Sequence, residues 1–220
     1  MSASVADWTR IMNQARVKLT GVSDGALQAE LFDVCHEFYS KSSSWLESLL
    51  VPIVPNVTTY ALVPTTGVAI RLVGVALIDL TNPRMPPSPR GGTMPAVGLL
   101  QLTEIPSANS TYLVTVAKTV VLPVDRNGFP VISHLTLPIY GTGILDGVLG
   151  RMMLQPNKSY SSPTTVTYHL KRFDGAIQQA RVATMRQNAV GTQAWVYPQQ
   201  FATVSQRGGV SVGSDTSFTS

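Results

Sequence analysis

Along residues 162–188, Val166, Leu170, Phe173, Ile177, Ala180 and Thr184 recur at alternating spacings of four and three. That rhythm lines them up on one narrow stripe of an α-helix and predicts a long helix with a single packing seam. Ser162 and Pro163 suit its first positions, and Gly191 stands just beyond its end. Thr164 to Tyr168 has strand propensity, so the first turn and a half has an extended alternative. Two further helices are predicted near the start. Over 5–19, Trp8, Ile11, Met12, Ala15 and Leu19 share a face, with Arg10, Asn13, Arg16 and Lys18 off it. Over 25–41, Leu27, Leu31, Val34, Cys35 and Phe38 form the apolar stripe, with Ser23 or Asp24 as its cap.

From Trp45 the period changes. Residues 49–54, 58–63, 70–80, 97–103, 112–122 and 131–137 are short runs of Val, Ile, Leu and Thr separated by Pro, Gly and Asn, a β-rich block. Asp125-Arg126-Asn127-Gly128 predicts a hairpin turn, placed at a sheet edge by Pro123 and Pro130. Residues 81–95 hold five prolines and two arginines and predict an extended loop, with Arg84 and Arg90 directed at nucleic acid, at a neighbouring subunit or at solvent. Residues 143–154 predict a short third helix in which Gly147 and Gly150 permit close packing against another helix.

The expected class is therefore α+β. Residues 1–46 and 140–190 form a helical bundle of two N-terminal helices with one short and one long C-terminal helix; 47–139 are an inserted antiparallel β-rich block; 191–220 are an extended C-terminal arm. The arm has little to hold it down, yet Trp195, Tyr197 and Phe201 are typical anchors for a partner surface.

Composition sharpens this picture in one respect. Hydrophobic content is 44% and only 13% of residues are charged, which suits either a surface covered by other subunits or a Thr- and Ser-rich β fold. A net charge of +4 is too mild to argue nucleic-acid binding. A single cysteine, Cys35, excludes an internal disulfide framework and fits a reducing cytoplasm; by position it is a small core residue. No secretory signal or membrane-length apolar run is read, so a soluble protein is expected.

Candidate chemistry is sparse. Gly141, Gly143 and Gly147 follow a strand-like run but are spaced GxGxxxG, with no acid about twenty residues on. His36, His134 and His169 share no ligand spacing, and the 12 carboxylates offer no evident acid/base pair. No HExxH or P-loop is present. No cofactor, metal or catalytic residue is expected, and the chain is read as a non-enzyme.

Residues 24–64 and 147–184 carry a resemblance. A helix ending near Trp45 leads into strands with the rhythm VPxxPNxxxYxL, here from Val51 to Leu62, and the last helix holds ARxxxxR, here Ala180-Arg181 to Arg186. In this the chain resembles head-to-tail adaptor (neck or connector) proteins of tailed bacteriophages. The resemblance implies a structural protein of the virion neck, made in the host cytoplasm. It would form a homo-oligomeric ring, commonly of twelve subunits, beneath the portal protein. Tail or nozzle proteins would bind below, and double-stranded DNA would touch the bore non-specifically. It also implies that the arm, with Trp195, Tyr197, Phe201 and Arg207, binds the portal or a neighbouring subunit, and that Arg84 and Arg90 lie on a lumen or interface loop. Another virion part (tail tube, head completion or tail attachment) and a non-viral binding module using the β-block as a ligand platform are the alternatives.

Overall fold

The structure is a computed structural model that describes residues 5–79, 85–123, 128–132 and 136–189. Chain contacts divide it into Met1–Thr184 and Met185–Ser220; of the second unit only the end of the last helix, 185–189, is among the described residues. The described residues form four helices and two antiparallel sheets, an α+β protein.

Helix α1 is Val5–Lys18 and α2 is Asp24–Ser42. Between them Gly21 turns the chain at a φ of +84° that an L side chain rarely adopts. Ser23 caps α2, its hydroxyl accepting from Ala26 N, and at the other end Ser43 N–H, in the left-handed conformation, donates to Tyr39 O. The predicted apolar faces of both helices are buried, Cys35 among them. His36, beside that stripe, is half-buried, and its carbonyl receives a bond from the β-region.

Helix α3 is Thr136–Met153 and α4 is Pro163–Ala189. The whole of 164–168 is helical in α4, and the predicted seam from Val166 to Thr184 is buried except for Leu170, which is half-buried against the same core. The glycines of α3 permit the close approach read from the sequence. A Cβ on Gly147 would lie 2.7 Å from Val34 of α2 and 2.8 Å from Phe173 of α4, and one on Gly150 would lie 2.7 Å from Leu170. Helix α3 is thus pressed between α2 and α4, and residues from all four helices join one hydrophobic cluster.

Helix α3 begins seven residues earlier than expected. The strand expected over 131–137 is not found among its described residues: Val131 and Ile132 have no regular structure, and Thr136 and Leu137 are already helical. The spacing of seven, four and four between Leu137, Ile144, Val148 and Met152 keeps them on one helix face and extends the helix backwards, and Pro138 falls in its first turn, where an N–H has no intrahelical partner. The expected edge hairpin is therefore absent among the described residues. Gly128 does turn at φ +89°, but Phe129 then stacks on Trp8 and Ile132 enters the helical core; Asp125 to Asn127 lie outside the described residues.

Seven strands follow α2. They are β1 Leu46–Ile53, β2 Thr59–Ala61, β3 Val68–Ile78, β4 Ser88–Pro89, β5 Gly92–Ala96, β6 Leu99–Leu102 and β7 Ser110–Thr119. One sheet has the order β1-β7-β3-β4 and the other β2-β6-β5. Val51, Ile53, Val75, Val114 and Val116 from the first sheet and Leu100 and Leu102 from the second form a separate hydrophobic cluster.

The proline-rich stretch 81–95 is not simply a loop, since β4 and most of β5 lie within it. Arg90 N donates to Val75 O, so the neighbouring Pro89 faces away from the sheet, where its missing N–H costs no bond. Pro95 falls at the register shift between Thr93 and Ala96. Likewise Val97 and Gly98 are the β5–β6 turn rather than strand, with Gly98 at φ +70°.

Candidate functional site

Asp146 is the only charged residue of the first fifteen in α3, and it is buried. Its two carboxylate oxygens are divided between two side chains of α4. His169 Nδ1 is 2.8 Å from Oδ1 and Arg172 Nε is 2.9 Å from Oδ2. The spacing of three puts His169 and Arg172 on adjoining turns of one helix face. Arg172 also donates to the Tyr168 hydroxyl at 2.7 Å. A carboxylate accepts, so His169 carries its proton on Nδ1. The cluster lies between two open cavities: one of about 470 Å³ is lined by Asp146, Arg172, Ile139 and Gln179, the other, of about 480 Å³, by His169, Lys18, Ser161 and Thr165.

Chemically this arrangement neutralises a buried carboxylate and fastens α4 to α3. A general-base role for His169 requires a nucleophile bonded to its ring, and its hydrogen-bond partner among the described residues is Asp146. Spacing alone did not reveal this acid and histidine, twenty-three residues apart. The one available signal was a lone acid inside the apolar run GILDGVLG, which needs a partner once that run is buried.

A second polar cluster ties the sheet to the helices. Lys118 is buried on β7, with Nζ 2.5 Å from Glu47 Oε2 and 4.3 Å from the centre of the Trp45 ring. Glu47 Oε1 accepts from Thr65 N at 3.0 Å and from Thr65 Oγ1 at 2.6 Å. Burial by itself raises the Glu47 pKa, but the bonds from Lys118 and Thr65 outweigh it and hold the carboxyl below its ordinary value. Thr119 Oγ1 donates to His36 O at 2.9 Å, and Ser40 Oγ donates to Thr119 Oγ1 at 3.1 Å.

The remaining feature is a surface. Side chains of Ser48, Leu50 and Pro52 share a face with their β7 partners Thr115, Leu113 and Thr111, and through these with Gly74, Ala76 and Ile78 of β3. This face is turned away from the buried one, and none of the nine residues is charged; the next row, Leu46, Ala117 and the exposed Arg71, bounds this uncharged stretch. Leu50 is 60% exposed. Other large apolar residues stand free nearby in sequence, including Val63 at 81% and Ile105 at 69%.

Of the residues singled out from the sequence, Arg90 follows β4 and forms an exposed ion pair with Glu104 at 3.4 Å. Arg84, Trp195, Tyr197, Phe201 and Arg207 lie outside the described residues, and so does the arm as a whole. Among the described residues no cluster of His, Cys, Asp and Glu could hold a metal ion, and no helix is long and apolar enough to cross a membrane.

What fold and surface define together is an α+β protein with a clamped set of four helices and a sheet whose outer face holds an uncharged stretch bounded by Arg71. Compared with known proteins, the chain matches no family model and no curated protein.

Proposed function

We propose that this chain is a structural component of a phage neck, a head-to-tail adaptor that forms a ring beneath the portal and surrounds the DNA channel. Its architecture in this reading is a helical bundle with an inserted β-rich block and a C-terminal arm. The observation that carries the proposal is the uncharged stretch of nine residues on the outer face of β1, β7 and β3, with Leu50 largely exposed on a single copy. Charge is what ordinarily keeps such a sheet face apart from other proteins, and its lack suits a face that neighbours cover. The resemblance over residues 24–64 and 147–184 supplies the kind of neighbour. A heterologous ring hides two patches on every copy, in keeping with a chain only 13% charged.

In this reading the arm reaches the portal or the adjoining subunit through Trp195, Tyr197, Phe201 and Arg207. Lys171, Arg181 and Arg186 on the exposed side of α4, against Asp174, suit non-specific contact with phosphates and no more. Mixing the purified chain with portal rings and imaging the product by electron microscopy tests the proposal. Stacked double rings are expected; a hexameric tube, or no association, overturns it.

A further inference from the structure

Four strands of the two sheets are edges, and three of them are blunted. Strand β4 has two residues, β2 has three, and β5 carries Pro95 at a register shift. Strand β1 differs, with eight residues in unbroken register against β7. Trp45 O accepts from Lys118 N, which makes the odd-numbered residues of β1 the ones bonded to β7. The N–H and C=O groups of Leu46, Ser48 and Leu50 therefore point away from the sheet. Pro52, the next even position, ends that row because it has no N–H. The only charge on the strand, Glu47, is occupied by Lys118 and Thr65.

We infer that this edge accepts an added strand, residues 193–197 of the C-terminal arm of a neighbouring copy. The inference rests on the ring reading, because a neighbour has to supply the arm. Three observations on the sequence select the occupant. The chain runs on for thirty-one residues past Ala189, enough to reach an adjoining molecule, at roughly 3.3 Å per residue. Residues 187–206 contain no charged side chain, matching an edge whose one charge is already paired and the uncharged stretch around Leu50. Gln-Ala-Trp-Val-Tyr is rich in strand-forming residues and stops at Pro198, a length that fits the row from Leu46 to Leu50. In an added strand Trp195 and Tyr197 fall on the same side, and on the outer face they cover Leu50 and Leu113. Residues beyond Pro198 remain for the portal.

Two experiments on the full-length chain decide the matter. Ser48→Cys combined with Gln193→Cys, which the added strand brings to the same outer face, is assembled with portal rings and treated with a short bis-maleimide; Cys35 is buried and does not compete. A ladder of covalent oligomers on a denaturing gel is expected. Product of monomer mass alone, whether from no reaction or from an arm lying on its own β1, overturns the inference. In parallel, Ser48→Pro removes an outward N–H and leaves the backbone bonds to β7 in place, at the cost of the exposed hydroxyl contact with Thr115. It is expected to keep the wild-type circular dichroism and to lose at least tenfold in ring yield. Ring yield equal to wild type overturns the inference and leaves the ring reading standing. A ladder without wild-type rings overturns the ring reading and keeps the strand pairing. Should Ser48→Pro unfold, the cross-link decides alone.

Discussion

Asp146 and His169 meet at 2.8 Å across the α3–α4 interface, each with a side chain 7% exposed. Removing the charge of Asp146 leaves two donors of α4 facing a neutral amide, and the loss of a buried partner is the expensive case. Arg172 can turn to water, being 47% exposed, which moderates the loss. Asp146→Asn is therefore expected to destabilise the protein by about 2–3 kcal/mol in urea unfolding. A change below about 0.5 kcal/mol would mean that apolar packing alone holds α4.

The helices were legible because their apolar spacing is a property of consecutive residues, and Leu27 to Phe38 or Val166 to Thr184 state it openly. The start of α3 was not, because Val131 and Ile132 together with Pro130 and Pro138 read as a bounded strand. Only the burial of Leu137 against the other helices decides otherwise. Strand β5 was hidden by composition: Gly92 and Pro95 argue against a strand, and pairing with β6 overrides them. The Asp146–His169 contact joins two helices and is a product of tertiary structure alone. The face built from Leu50, Leu113 and Ala76 was equally out of reach, since strand order and register create it.

Two glycines should respond to alanine with opposite signs. At Gly147 the new methyl meets Val34 and the Phe173 ring at under 3 Å, and Phe173 is itself buried. Gly147→Ala is expected to cost about 1–3 kcal/mol. Gly175, within α4, has nothing within 4 Å of an added Cβ. Gly175→Ala should stabilise by about 0.5–1 kcal/mol through helix propensity. Denaturant midpoints of the two variants, measured side by side, check the contrast.

Burial raises the Cys35 thiol pKa well above its ordinary value, which removes the reactive thiolate at neutral pH. In the native protein Cys35 should be silent to a chromogenic disulfide reagent for as long as the fold persists, and titrate as one thiol per chain in guanidinium. Prompt reaction under native conditions would place α2 in exchange with an open state.

Acid should loosen the junction between sheet and helices through Glu47. Its carboxyl is held below the ordinary 4.5 in the folded protein, so the unfolded chain takes up this proton first as pH falls. A group with a depressed folded pKa adds stability that is fully present above the unfolded value and is lost as pH drops through the folded one. Glu37, bonded to Lys41 and Arg151, is lowered as well and adds to the same trend; burial alone would raise it, and the two cations outweigh that effect. Urea unfolding at pH 6 and at pH 3.5 should therefore give a lower stability at the acid value. Glu47→Gln should be less stable than wild type at pH 6, because Lys118 remains buried over Trp45 without its anion, and should lose less on acidification. Equal acid sensitivity of the two proteins would assign the loss to other carboxylates and detach Glu47 from the pH response.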